Sequence, residues 1–147
     1  MTATCQIDFY IVDSELEQAT EAVACRLIEK AWSRGHRVLV RSRDSAQQAR
    51  LDRLLWTFRQ DSFLPHATPA AGVEAPILIA TADEIVDADF EVLVNLDDDP
   101  ASSLTAWQRI VEISSLEPQR LARSRDRFRH YRQHGVEPDN HRVRAPA

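Results

Sequence analysis

Residues 120–132 read RLARSRDRFRHYR. On a helix Arg125, Arg129 and Arg132 would follow an i, i+4, i+7 line, with Leu121, Phe128 and Tyr131 on a neighbouring stripe. An arginine row beside an aromatic row suits a ligand that carries both a carboxylate and an apolar side chain, because the guanidinium fork pairs two-pronged with carboxylate oxygens. A solvated helix face lying over a core stripe gives the same pattern, so this stretch does not decide alone. A second group, Trp56 with Phe63-Leu64-Pro65-His66, sets bulky apolar residues at and just after a helix end. Either they fold back over the core edge, or they wall an apolar pocket of the kind that anchors a partner.

Other reactive-looking groups lead to less. Asp97-Asp98-Asp99 falls at a strand end, where ligands of open α/β sheets sit, and Asp13 could complete an acidic Mg²⁺ site. A phosphoacceptor domain of that kind also needs a lysine at a later strand end, and the only lysine is Lys30, inside a helix. The competing expectation is that the aspartates complement the start of a following helix. His130 and His134 share a helix face without a third ligand, so no metal site is expected. Gly35, Gly72 and Gly135 are the only glycines, which leaves neither a dinucleotide fingerprint nor a P-loop. No nucleophile–base arrangement stands out. No cofactor and no catalysis are expected, and Cys5 and Cys25 read as buried thiols of a cytoplasmic protein.

Four near-continuous apolar runs, at residues 6–12, 37–40, 77–80 and 90–96, predict strands covered on both faces. Helical patterns lie between and after them. Ser14 and Glu17 have capping-box spacing ahead of Ala22, Val23, Leu27, Ile28, Ala31 and Trp32, and Gly35 is placed to end that helix. Ser45 and Gln48 repeat the spacing ahead of Leu51, Leu54, Leu55 and Phe58. A third helix is expected from residues 100–103, with Leu104, Trp107, Ile110 and Val111 facing inward, and a fourth from Pro118 to about His134. The order predicts one Rossmann-like α/β domain over residues 1–137, with a mainly parallel sheet of about four strands and helices on both faces. Residues 57–75 read as an irregular loop, and residues 138–147 as a flexible tail.

Charge is unevenly spread. Residues 1–117 hold 10 Lys+Arg against 20 Asp+Glu, and residues 118–147 hold 8 Arg against 3 acidic residues. An acidic body repels a duplex backbone, while a basic end attracts a compact anion. No run approaches the ~20 apolar residues of a membrane helix, and the N-terminus lacks a basic, cleavable leader, so no membrane association is expected.

Five blocks together carry a family resemblance. They are Asp8-Phe9-Tyr10-Ile11-Val12, Ala31-Trp32-Ser33-Arg34-Gly35-His36-Arg37-Val38, Leu51-Asp52-Arg53-Leu54-Leu55-Trp56, Ser62-Phe63-Leu64-Pro65-His66, and the stretch from Arg125 through Phe128 and Tyr131 to Gly135. In this order and spacing they resemble the chi subunit of the bacterial DNA polymerase III holoenzyme. The resemblance implies an accessory clamp-loader subunit without its own active site. It also implies two partners: the psi subunit, and the acidic C-terminal tail of single-stranded-DNA-binding protein, which ends in an apolar Ile-Pro-Phe. By matching positions, Trp56, Phe63 and Leu116 would line the apolar part of the tail pocket, and Arg125 would hold a carboxylate with Phe128 and Arg129 beside it. The chain departs from the family with Phe128 in place of a tyrosine and Leu121 in place of a basic residue. The resemblance gives no psi-binding residues and makes contact with DNA indirect. The alternative is a module that binds single-stranded nucleic acid directly through the arginine-rich helix.

Overall fold

The computed structural model describes residues 5–57, 64–84, 86 and 89–146. The chain runs through β1 (Gln6–Val12), α1 (Glu17–Ser33), β2 (Val38–Ser42), α2 (Ser45–Thr57) and β3 (His66–Ala67), then a single 3-10 turn at Pro69–Ala71. It continues through β4 (Ile77–Thr81), β5 (Val92–Asn95), β6 (Arg109–Ser114), α3 (Pro118–Gln133) and β7 (Asp139–Val143). The strands form one sheet in the order β3-β4-β2-β5-β6-β1-β7. Every neighbouring pair is parallel. The α/β class and the parallel sheet match expectation; the sheet has seven strands rather than about four.

Side-chain alternation divides the core into two layers. On one face Val38, Val40, Ile77, Ile79, Val92, Val94 and Val111 meet Val23, Ala24, Ile28, Leu51 and Leu55 of α1 and α2. On the other face Ile7, Phe9, Leu39, Leu93 and Ile110 meet Phe128 and Tyr131 of α3, with Phe90, Leu104 and Trp107 filling in from loops. The four strands legible in the sequence, like β6, have neighbours on both edges, and Val92–Asn95 is buried throughout.

The expected helix near residues 100–111 is replaced by an irregular segment followed by β6. Leu104, Trp107 and Ile110 mimic helical spacing, but Ile110-Val111-Glu112-Ile113 is largely β-branched and fills both layers, which suits a pleated strand. The expected tail instead contains β7, paired with β1 from Asp8↔Asp139 to Val12↔Val143. As an edge strand with four of its five residues exposed, it carries no apolar pattern to read. The expected loop at 57–75 contains β3 and the 3-10 turn in its described part.

The helix ends follow local chemistry. Gly35 and Gly135 sit just beyond α1 and α3 at φ of +88° and +87°, where a side chain would be strained. Pro118 opens α3, and the Glu117 carboxylate caps it by accepting from the Gln119 and Arg120 amides at 3.2 and 2.9 Å. Neither capping box forms. Ser14 Oγ accepts from Leu16 N instead, and α2 is capped by Asp44, whose Oδ1 accepts from Gln47 N at 2.8 Å.

Candidate functional site

The position of α3 on the sheet is set by a buried polar network centred on Glu112. Its carboxylate, fully buried in β6, accepts from Arg127 Nε at 2.8 Å, from the Tyr131 hydroxyl at 2.5 Å, and from Asn95 Nδ2 at 3.0 and 3.2 Å. Arg127 Nη1 also donates to the Asp98 carbonyl at 3.2 Å, and the Tyr131 oxygen accepts from Ala101 N at 2.9 Å. Burial, then the adjacent Glu112 charge, pushes the Tyr131 hydroxyl far above its ordinary pKa. With Arg127 and Tyr131 turned inward at i, i+4, the rest of α3 is fixed in rotation. Leu121, Arg125, Phe128 and Arg129 then face the edge of the sheet formed by β1 and β7.

Between α3 and that edge lies a groove of about 350 Å³, lined by Phe9, Ile11, Leu116, Leu121, Ser124, Arg125, Phe128, Arg129, Asn140 and Arg142. Its floor is apolar, with the Phe9 and Phe128 rings 5.2 Å apart and tilted. Its rims are cationic. Arg129 pairs with exposed Asp126 one turn earlier, and Arg142 pairs with Asp13 at 3.6 Å. Arg125 is exposed and has no hydrogen-bond or ion-pair partner among the described residues. An apolar floor under unneutralised guanidinium suits a ligand that pairs a carboxylate with an apolar side chain.

Of the six residues expected at the site, Leu116, Arg125, Phe128 and Arg129 come together in this groove. Phe63 lies outside the described residues. Trp56 is not part of the groove. It sits near the end of α2, on the opposite face of the sheet and toward the β3 edge, 54 % exposed, with its ring edge-on to His66 at 5.0 Å. The structure does not bring Trp56 and Arg125, expected to share a pocket, together: a seven-stranded sheet stands between them. Five lining residues, Phe9, Ile11, Ser124, Asn140 and Arg142, are not singled out by the sequence reading of the site. Phe9 and Ile11 alternate on one face of a legible strand, whereas Asn140 and Arg142 lie in β7, where a flexible tail is expected.

The remaining candidates have structural partners. The Asp98 carboxylate receives Arg120 Nη1 at 2.5 Å on both oxygens, and that hydrogen bond outweighs burial, which by itself raises the pKa, to leave it lowered. Asp97 is shifted the other way, chiefly by burial. No helix follows these aspartates; Asp98 receives Arg120 and Arg127 of α3 instead of complementing a helix start. Among the described residues, no group of His, Cys, Asp and Glu is placed to hold a metal ion. The His130 and His134 rings lie 4.3 Å apart, tilted by 33°, at the end of α3. Burial raises the Cys25 thiol to about 12, with Glu21 adding to the effect, so it stays protonated and inert.

The chain is similar to known proteins along most of its length. The family model described as DNA polymerase III chi subunit, HolC, matches residues 4–139. A protein of Pseudomonas aeruginosa named DNA polymerase III subunit chi is 35 % identical over 138 residues, covering 94 % of this chain and 96 % of its own. Proteins of the same name are similar in Escherichia coli K12 (29 % over 130 residues, 84 % of this chain and 88 % of the relative) and Haemophilus influenzae (25 % over 137 residues, 92 % and 94 %).

Proposed function

The chain belongs to the DNA polymerase III chi-subunit family, and on that premise we propose that it is a non-catalytic adaptor whose α3 groove takes the acidic C-terminal tail of single-stranded-DNA-binding protein. The observation that carries this reading is Arg125, a guanidinium without a partner among the described residues, at the lip of an apolar trough floored by Phe9, Leu116 and Phe128. A tail ending in aspartates and Ile-Pro-Phe matches it group for group: the terminal carboxylate to Arg125, the phenyl ring to the floor. Arg129 flanks the same lip and releases its own solvent-exposed Asp126 at little cost.

An adaptor holds two partners at once and so needs two surfaces. The psi subunit is the second partner of this reading. Trp56, half exposed on the far side of the sheet, offers apolar surface that does not overlap the groove. Direct binding of single-stranded nucleic acid by α3 is the weaker reading. Of the six arginines in α3, Arg120, Arg127, Arg129 and Arg132 are already paired with acidic residues. The body around them is acidic as well, so little free cationic surface is left for a phosphate backbone.

The test is a labelled peptide with the tail sequence, measured beside the same peptide without its terminal Phe. The full peptide is expected to bind in the micromolar range, about −8 kcal/mol, and more weakly as salt rises. Removing the Phe abolishes binding, and Arg125→Ala weakens it by about tenfold or more. Equal binding of both peptides would reduce the interaction to charge attraction and favour the nucleic-acid reading.

A further inference from the structure

Resting on the reading of the groove as an acidic-peptide site, we infer that Arg142 of β7 is a second clamp, gripping an acidic side chain of the peptide from the rim opposite Arg125 and Arg129. The register places Asn140 beside Phe9 and Arg142 beside Ile11, and all four of these residues line the groove. The α3 rim therefore supplies cations from one side and the edge strand supplies one from the other. Arg142 lies beyond residues 4–139, the stretch matched by the family model.

The partner that Arg142 holds now is a replaceable one. Its ion pair with Asp13 is long, at 3.6 Å, and the two side chains are 70 % and 59 % exposed. Exposed pairs of this kind contribute little and are screened by salt, so an aspartate or glutamate of a bound peptide competes on even terms with Asp13. Asp13 thus acts as an internal competitor: it occupies Arg142 when the groove is empty and yields it when an acidic ligand enters. A neutral ligand would have no such claim on Arg142. The clamp therefore selects for acidic residues upstream of the apolar terminus, whereas Arg125 and the floor select for the terminus itself.

The experiment uses the full chain and two labelled peptides of equal length ending in Ile-Pro-Phe, one with aspartates upstream and one with asparagines in their place. At low salt Arg142→Ala is expected to weaken the aspartate peptide about three- to fivefold, and Asp13→Asn to tighten it about twofold. Both differences disappear with the asparagine peptide. Arg125→Ala is measured in parallel and weakens both peptides. If the aspartate peptide depends on Arg125 but not on Arg142, the second clamp is overturned and the groove reading stands. If the wild-type chain binds neither peptide, the groove reading falls and the clamp with it. An equal loss of both peptides on Arg142→Ala would also overturn the clamp, since it would point to a damaged edge strand instead of a lost charge pair.

Discussion

α1 and α3 cover opposite faces of one sheet and are held there by different forces. α1 buries Val23, Ala24, Cys25, Ile28 and Ala31 in the larger apolar cluster, and its buried acid, Glu21, receives Arg50 of α2. α3 buries only Ser124, Arg127 and Tyr131. Apolar packing is non-directional and tolerates small rotations of a helix. A guanidinium and a phenol on one buried carboxylate do not, because each hydrogen bond has a narrow range of distance and angle. The face that presents the groove is thus the face whose helix is fixed by directional bonds. Such an arrangement holds Arg125 and Phe128 at a set angle over Phe9.

Breaking the Glu112 network should have the largest effect. Glu112→Ala leaves the Arg127 charge buried and unpaired, at a cost of about 3–5 kcal/mol. Ile28→Ala, in the middle of α1, costs a comparable 2–5 kcal/mol or so through the cavity it leaves. Urea unfolding followed by circular dichroism measures both. The comparison sharpens when tail-peptide affinity is measured under folding conditions. Glu112→Ala should lose binding as α3 loosens, whereas Ile28→Ala should keep it in the folded fraction. If Glu112→Ala does not fold, Glu112→Gln, which retains an acceptor, serves in its place. Equal binding losses in both variants would remove the distinction between the two faces.

The two regions also differ in how much of them a sequence displays. Val38, Val40, Ile77 and Ile79 declare buried strands because side-chain type and burial coincide. Glu112 breaks that correspondence: an acid inside a strand covered on both faces reads as a surface residue until Arg127 and Tyr131 are seen to reach it from residues 15 and 19 places later. The fold class, the helix-ending glycines and the arginine row of α3 depend on local pattern and were legible. Residues 139–143 were not, because an edge strand needs only backbone hydrogen bonds on one side and leaves its side chains polar. The candidate site was half legible for the same reason. Its α3 wall shows in the spacing of Arg125, Phe128 and Arg129, and its β7 wall shows only in space.

A smaller, pH-dependent effect is expected where β7 is tied down. The Asp8 carboxylate, on the α1 face, accepts from Arg109 Nε at 2.9 Å and lies 3.0 Å from His141 Nε2, and the His141 ring stacks on Tyr10 at 4.8 Å. Burial by itself would raise the Asp8 pKa, but hydrogen bonds from His141 and Arg109 outweigh it and hold it below the ordinary value. A carboxyl whose folded pKa is depressed contributes stability above its unfolded pKa, near 4, and loses it as pH falls through the folded value. Unfolding curves taken from about pH 5 downward should therefore show a gentler acid loss for Asp8→Asn than for the wild type. Parallel acid limbs would mean that Asp8 does not hold the edge strand by its charge.

The smallest effect concerns Trp56, and it bears most directly on the separation of the two faces. Trp56→Ala removes a ring that is more than half exposed and packed edge-on to His66, so the loss of stability is modest. Its distance from α3 predicts no change in tail-peptide affinity, since no lining residue of the groove belongs to α2 and the sheet lies between. Residues far apart without shared partners behave additively to within about 0.5 kcal/mol, so Trp56→Ala combined with Arg125→Ala should bind the tail like Arg125→Ala alone. Binding of the psi subunit is the complementary measurement: on the adaptor reading, Arg125→Ala leaves it intact. A loss of tail affinity on Trp56→Ala that is not additive with Arg125→Ala would show that the two surfaces communicate through the sheet. The rotational lock at Glu112, which touches both Asn95 of β5 and α3, would then be the first place to look for the connection.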